Sequence, residues 1–357
     1  MITSQHPDST MEWISAQLPQ VQQLRHHLHQ HPELSGQEYK TAAHLQQFLQ
    51  PYHPDEIRSG LGTGTGLVAL WDSGQPGLTV LFRAELDALP IEEDSENCSY
   101  SSTVKGVSHK CGHDGHAAMV AALAPLLQKK IFSGKIGLLF QPAEETGAGA
   151  AALVADERFS SIKPDFIFGL HNLPGYPLGQ VVLRNGSFCA ASRGMKIRLE
   201  GQSSHAAEPE KAHSPAGCLC TLLKLLPQLP QHLKGEQLLL LTVTHACLGE
   251  PSFGITPGTA VLQATLRTFE EKDMERLVTA AESLVQKEAQ HHGLQVSISY
   301  EEVFPATVNH EEAFHLLEQA AIRTGFVTVI QDQPFRWSED FGHYASLAKT
   351  AFFGLGA

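Results

Sequence analysis

The sequence predicts an α/β fold interrupted by a smaller α+β unit, and three observations predict it. Residues 78–83, 135–140 and 165–170 are short apolar runs of the length of buried strands. Each hands over to polar residues at its C-terminal end: Ala84-Glu85-Leu86-Asp87, Gln141-Pro142-Ala143-Glu144-Glu145 and His171-Asn172. Beyond about Pro177, strands and helices continue without such polar clusters. Open α/β sheets build their sites at the carboxyl edge of the strands, so the second observation also says where chemistry belongs.

The elements follow in order. Residues 11–30 and 38–50 read as helices joined by a turn around Pro32 and Gly36. A helix-forming run, 117–130, lies between the first and second apolar strands. After the third, 181–183, 194–199, 238–244 and 259–267 read as strands, and 215–226 and 272–291 as helices. From about residue 301 the chain returns to helix-forming sequence at 311–324 and reaches the apolar run 350–355. No internal repeat or low-complexity tract interrupts the pattern.

Composition bounds the function classes. A chain of 357 residues can hold two domains and a large core. Its 42% hydrophobic and 18% charged residues are ordinary globular usage. A net charge of −13 argues against nucleic acid, whose phosphates need basic partners. No run reaches the roughly 18 apolar residues of a membrane helix, so no membrane partner is expected. Residues 1–11 are polar and carry acids, unlike a signal peptide. Cys98, Cys111, Cys189, Cys218, Cys220 and Cys247 show no framework spacing, which reads as reduced thiols in a cytoplasm.

Residues 109–116, His-Lys-Cys-Gly-His-Asp-Gly-His, pack a thiol, three imidazoles and a carboxylate into one short stretch. A thiolate with imidazoles suits zinc or a similar transition metal. If the stretch is extended, Cys111 and His113 point the same way. Alone, the cluster would also suit an inert cysteine among surface histidines in a chain with 20 of them. The strand ends add Glu145 and His171, and Cys111, His113, Glu145 and His171 make an S, N, O, N ligand set. A thiol hydrolase using Cys111 is disfavoured because no separate oxyanion motif is evident. A zinc deaminase is disfavoured because no H-x-E followed by C-x-x-C occurs.

Seven motifs occur in order: LHQHPELSGQE (28–38), RAELDALPIEE (83–93), HKCGHDGH (109–116), QPAEETGAGA (141–150), GLHNLP (169–174), SSHAAEPE (203–210) and SEDFG (338–342). In order and spacing, over nearly the whole chain, they resemble the M20 family of metallopeptidases. The matching branch is that of the amidohydrolases, with hippurate hydrolases, N-acyl-amino-acid amidohydrolases and plant auxin-conjugate hydrolases. The resemblance implies an α/β catalytic domain, a mixed, mostly parallel sheet flanked by helices, formed by 1–181 and 301–357. It implies an inserted α+β lid and dimerisation domain at 182–300, a four-stranded sheet with two helices on one face. The implied activity is metal-dependent cleavage of linear amides, in N-acyl amino acids or small peptide-like substrates, by a cytoplasmic homodimer paired through the insertion.

Carried over residue by residue, the resemblance makes Cys111 the bridge between two divalent ions. His113 and Glu145 complete one site and His171 serves the other. Zinc or manganese is the expected metal, with cobalt or nickel as alternatives. Glu144 is the general base, Asp87 orients a ligand from behind, and His205 reaches the partner subunit's site to stabilise the tetrahedral oxygen. Glu85 stands where relatives often have aspartate and receives no role. His116 reads as a packing or capping residue, and His109 and Asp114 as residues behind the ligands.

The chain departs from the family at Gly254-Ile255-Thr256-Pro257, where relatives carry Asn-Val-Ile-Pro, and at Glu210, where they carry histidine. Substrate contacts there would differ. The family also continues past a Phe-Gly-Leu-Gly-Ala-like strand to a last metal-binding histidine. This chain stops at Ala357, and His343 matches no ligand position, so the site served by His171 would hold fewer protein ligands. That departure sustains an alternative, a catalytically impaired relative that binds a ligand or partner through the same fold.

Overall fold

The computed structural model describes residues 7–94, 98–233 and 237–357, so residues 1–6 of the N-terminal stretch considered above lie outside it. By its internal contacts the chain divides into two compact units. One comprises Met1–Phe188, Thr307–Pro334 and Asp340–Ala357; the other comprises Cys189–Ala306 and Phe335–Glu339.

The first unit opens with α1 (Pro7–Gln30) and α2 (Tyr39–Leu49). α2 buries Thr41, Leu45 and Leu49, four residues apart, the stripe of a helix laid on a core. β1 (Glu56–Leu61), β2 (Gly66–Asp72) and β3 (Thr79–Glu85) follow. Then come α3 (His113–Ala121), α4 (Ala124–Leu127), β4 (Lys135–Gln141), α5 (Gly149–Ala155), α6 (Glu157–Ser160), β5 (Phe166–Leu173), β6 (Val181–Leu183) and β7 (Gly186–Cys189). The helix expected at 117–130 starts four residues earlier, at His113, and breaks ahead of Pro125, whose ring nitrogen cannot donate. The 109–116 stretch is therefore not extended. His113 is already helical, and Gly112 stands at the N-cap.

The second unit holds β8 (Ala191–Glu200), α7 (Ala216–Leu225), α8 (Leu229–His232), β9 (Leu239–Leu248), β10 (Thr259–Thr268), α9 (Glu271–His291) and β11 (Gln295–Phe304). Its four strands form an antiparallel sheet in the order β11-β8-β10-β9. Alternate residues, Met195, Ile197 and Leu199 on β8 and Leu262, Ala264 and Leu266 on β10, turn to one face. There they pack with Leu219 and Leu222 of α7 and Met274, Leu277, Ala281 and Val285 of α9. Fully burying each large side chain contributes about 1.5–3 kcal/mol.

The chain returns to the first unit as β12 (Thr307–Asn309), α10 (Glu311–Thr324), β13 (Thr328–Ile330) and β14 (Lys349–Gly356). The large sheet runs β1-β2-β4-β3-β5-β14-β6-β13. Its middle strands, β4-β3-β5-β14, are parallel, while β2 joins β4 and β6 joins β14 antiparallel. The mixed sheet with flanking helices matches the expected fold class. The apolar run at 350–355 becomes β14 in the sheet interior, with Ala351 and Phe352 fully buried. Leu24 and Leu28 of α1, Leu45 and Leu49 of α2, and Ala117 and Ala121 of α3 cover one face, against Trp71, Leu138 and Phe140. Because the middle strands are parallel, their carboxyl ends share one edge. Among the described residues no helix is long and apolar enough to cross a membrane.

Candidate metal centre

That edge gathers polar side chains from four segments. β3 ends in Glu85, with Asp87 two residues on; Glu144 and Glu145 follow β4; His171 and Asn172 close β5. α3 meets them with His113 as its first residue and His116 one turn later. Glu85, Asp87, His113, His116 and Glu144 are buried, while Cys111, Glu145 and His171 are half-buried. Gly112 lets the chain turn between Cys111 and His113. Its φ of 93° lies in the left-handed region that glycine favours, and a Cβ there would come within 2.8 Å of Asn172 Oδ1.

Within the first unit, three groups of possible ligand atoms lie within 4.8 Å of one another: Cys111, His113 and His171; His113, Glu144 and Glu145; and Glu85, His113 and His116. Cys111 Sγ is 3.3 Å from His171 Nε2. His113 Nε2 is 3.9 Å from Glu144 Oε2 and 3.9 Å from Glu145 Oε1. The structure thus brings together Cys111, His113, Glu144, Glu145 and His171. Asp87 is among them too, with its carboxylate Oδ1 3.4 Å from His113 Nδ1. His205 belongs to the second unit, exposed in the loop after β8, where its Nδ1 accepts the Ala207 N–H at 3.1 Å.

Both imidazoles turn Nε2 toward this space. A carbonyl oxygen only accepts, so His113 Nδ1 donates to the Asp87 carbonyl at 2.9 Å and His171 Nδ1 donates to the Asn172 carbonyl at 2.6 Å. In its neutral form each ring keeps its lone pair on Nε2, the atom a metal takes. His113 Nε2 and Glu145 Oε1 are buried without a hydrogen-bond partner, which is rare for buried polar atoms. Thiolate sulfur, two imidazole nitrogens and a carboxylate oxygen fit a divalent transition metal.

The electrostatics agree. Burial acts to lower the pKa of His113, but hydrogen bonding to Asp87 and the Cys111 thiol outweigh it and hold the imidazole well above its usual value. Burial, then neighbouring His116, pushes His171 well below. Burial raises Glu145 against the pull of His113. Asp87 is lowered although burial opposes it, because His113, Ser35 and the Glu145 amide all bond its carboxylate form. The negative field that draws a proton to His113 also favours a dication in the same space.

Behind the ligands, Asp114 accepts from Arg25 Nε at 3.1 Å and lies 3.0 Å from His29 Nδ1, tying α3 to α1. His109 is buried with neither ring nitrogen hydrogen-bonded, and burial lowers its pKa to about 4. Sequence reasoning missed Glu85 and His116. His116 Nδ1 lies 2.8 Å from Glu85 Oε2, and burial, then His113, lowers its pKa to about 3. Glu85 pairs with Arg83, which also bonds Gln141 Oε1 at 2.7 Å and Asp340 Oδ1 at 3.0 Å. One signal could have found them: Arg83 and Glu85 are charged residues in an otherwise apolar strand, and buried charges require partners.

Residues 81–357 match the model of peptidase family M20/M25/M40. The chain is 33% identical over 336 residues to an N-acetyl-L-cysteine deacetylase of Bacillus subtilis, spanning 93% of this chain and 79% of that protein. It is 31% identical over 340 residues to thermostable carboxypeptidase 1 of Saccharolobus solfataricus, spanning 94% and 85%. The crystal structure of a dinuclear metal-binding M20 peptidase from Bacillus subtilis has a similar fold, with a TM-score of 0.79 and 26% identity over 96% of this chain and 89% of that one.

Proposed function

The chain belongs to peptidase family M20/M25/M40 and is a hydrolase of that family; from this premise we propose that it cleaves the amide bond of N-acyl amino acids or small peptide-like substrates with two divalent ions. The observation that carries the reading is the position of Glu144. Its carboxylate faces His113 Nε2 at the same 3.9 Å distance as that of Glu145, a second acid beside the donor set. Two similar proteins named for cutting amides, a deacetylase and a carboxypeptidase, support the substrate class.

Amides resist water because the carbonyl is a weak electrophile and the amine a poor leaving group. Divalent ions held here would supply Lewis acidity, polarising a carbonyl oxygen and acidifying water. Cys111, His113, Glu145 and His171 are the residues that would hold these ions. Zinc or manganese is the proposed metal, and cobalt or nickel are substitutes. Glu144 takes the proton of the attacking water and returns it to the leaving nitrogen. Asp87 holds the Nδ1–H of His113, keeping the Nε2 lone pair directed at the centre. His205 is the proposed donor to the tetrahedral oxyanion, supplied across a homodimer. A cytoplasmic setting is proposed from the cysteine positions, which lack the spacing of a disulfide framework.

The test is turnover of N-acetyl and N-benzoyl amino acids before chelation, after chelation, and after return of zinc or manganese. Hydrolysis should vanish on chelation and come back with one of these ions. A metal-loaded chain that cleaves none of these amides would overturn the substrate class and favour a non-catalytic, ligand-binding relative.

A further inference from the structure

We propose that His116 is a positioning residue, anchoring Asn172 so that Asn172 can hold both His171 and the Cys111–His113 turn in place. The proposal rests on reading Cys111, His113 and His171 as ligands. His116 itself takes no part in the chemistry above.

The contacts form one continuous buried chain. The backbone N–H of Asn172 donates to His116 Nε2 at 3.0 Å, so the proton of a neutral His116 sits on Nδ1. That Nδ1–H points at Glu85 Oε2, 2.8 Å away. Glu85 pairs with Arg83, and Arg83 donates to Asp340 Oδ1 at 3.0 Å. Arg83, Glu85 and Asp340 are fully buried, so the far end of the chain is fixed in the core.

On the other side of His116, Asn172 does two things. Its carbonyl accepts the Nδ1–H of His171 at 2.6 Å, which leaves His171 Nε2 facing Cys111 Sγ at 3.3 Å. Its side-chain amide closes over Gly112, where a Cβ would come within 2.8 Å of Asn172 Oδ1. Gly112 is the residue between Cys111 and His113. One residue therefore orients His171 through its backbone and bounds the turn bearing the other two donors through its side chain. A shift of Asn172 would separate Cys111 from His171.

Three variants of the full chain test this. Glutamine can place an oxygen near Nε2, so His116→Gln keeps the acceptor for Asn172. Asparagine reaches only the Nδ1 position, so His116→Asn keeps the partner of Glu85 and loses the anchor. His116→Ala loses both. The first readout needs no metal: the rate at which iodoacetamide alkylates Cys111 in chelator-treated protein, followed on the Cys111 peptide by mass spectrometry. Cys111 should react several-fold faster in the Ala and Asn variants and at close to the parent's rate in His116→Gln. Equal rates throughout, or a Gln variant as fast as the Asn variant, would overturn the proposal. If His116→Ala fails to fold, the Gln and Asn pair still decides.

The second readout is zinc affinity against a chromogenic chelator. Loss of an outer contact of this kind typically weakens metal binding about 10–100-fold, expected here for Asn and Ala and not for Gln. A parent that binds no zinc would sink the metal reading of the site, while the alkylation rates would still report on His116 as an anchor.

Discussion

His113 and Asp87 are joined twice: Nδ1 of the imidazole lies 2.9 Å from the Asp87 backbone carbonyl and 3.4 Å from its carboxylate Oδ1. The carbonyl fixes the tautomer, and the carboxylate adds charge behind it. The other carboxylate oxygen accepts Ser35 Oγ at 2.7 Å and the Glu145 N–H at 3.0 Å. One buried acid thus organises two proposed ligands, His113 and Glu145.

Asp87→Ala should therefore keep the carbonyl contact and lose the rest. Metal affinity is expected to fall about 10–100-fold. Stability should fall by about 1–3 kcal/mol, because Ser35 and the Glu145 amide lose their acceptor in a buried place. Zinc titration calorimetry and urea unfolding check the two effects. Parent-like affinity would show that the backbone carbonyl alone suffices.

Glu144→Gln should bind metal as the parent does and lose amide hydrolysis, by roughly 10²-fold or more. Glutamine preserves shape and removes the proton acceptor. Metal content and steady-state turnover on the same sample separate the two roles. Turnover at the parent rate would remove Glu144 from the position of base.

Gly112→Ala should disturb the centre without touching a donor atom. The added Cβ forces a left-handed backbone on alanine and meets Asn172 at 2.8 Å. A strained backbone position costs on the order of 1–3 kcal/mol. Chemical unfolding should show that loss, and zinc affinity should drop with it. Unchanged stability and affinity would mean that the turn relaxes freely.

Acid should weaken the link between α1 and the segment before α3. Glu93 accepts from Lys110 Nζ and from the Ser102 N–H, both at 2.8 Å, and faces His29 Nε2 at 3.2 Å. Burial opposes its charged form, but these bonds bring its pKa down to about 2 from the usual 4.5. A lowered acid stabilises the fold fully above its unfolded value and loses that contribution as pH falls through the folded one. The window is therefore 4.5 down to about 2. His29 is raised, by its hydrogen bond to Asp114 first, so its contribution is complete below 6.5 and fades as pH rises through the folded value. Glu93→Gln should flatten the acid limb of stability measured by urea midpoints from about pH 6 to about pH 3. An acid limb as steep as the parent's would assign the loss to other carboxylates.

How much was legible follows from what each element needs. β3, β4, β5 and β14 are short apolar runs, and a strand buried on both faces carries that signature locally. β11 carries a strict alternation, Val296, Ile298 and Tyr300 between Gln295, Ser297, Ser299 and Glu301, so it was legible as a half-buried strand and was overlooked, whereas β1, with Glu56, Arg58 and Ser59 around Ile57, has no such pattern. The start of α3 escaped because its N-cap is a glycine, without the Ser, Thr or Asp oxygen that usually marks a helix start. The grouping of Cys111, His113, Glu145 and His171 was readable because the first two share one short donor-rich stretch and the other two lie at strand ends, both local patterns. Glu85 and His116 were not, since their partnership spans 31 positions and exists only after the sheet and α3 pack.

Assembly is the last expectation. β9 is an edge strand of the second unit's sheet, and its outer half, from Thr244 to Leu248, is exposed. Such an edge offers unpaired N–H and C=O groups to a second copy, and symmetric pairing about a two-fold axis is the common outcome. The chain should be a homodimer by light scattering, and His205 should act on the partner's centre. His205→Ala and Glu144→Gln homodimers should both be nearly inactive. Random exchange would place both variants in half the dimers, each with one site combining an intact Glu144 and an intact His205. The mixture should then recover about a quarter of parental activity. A mixture that stays inactive after verified exchange would place His205 in the service of its own subunit, or outside the reaction.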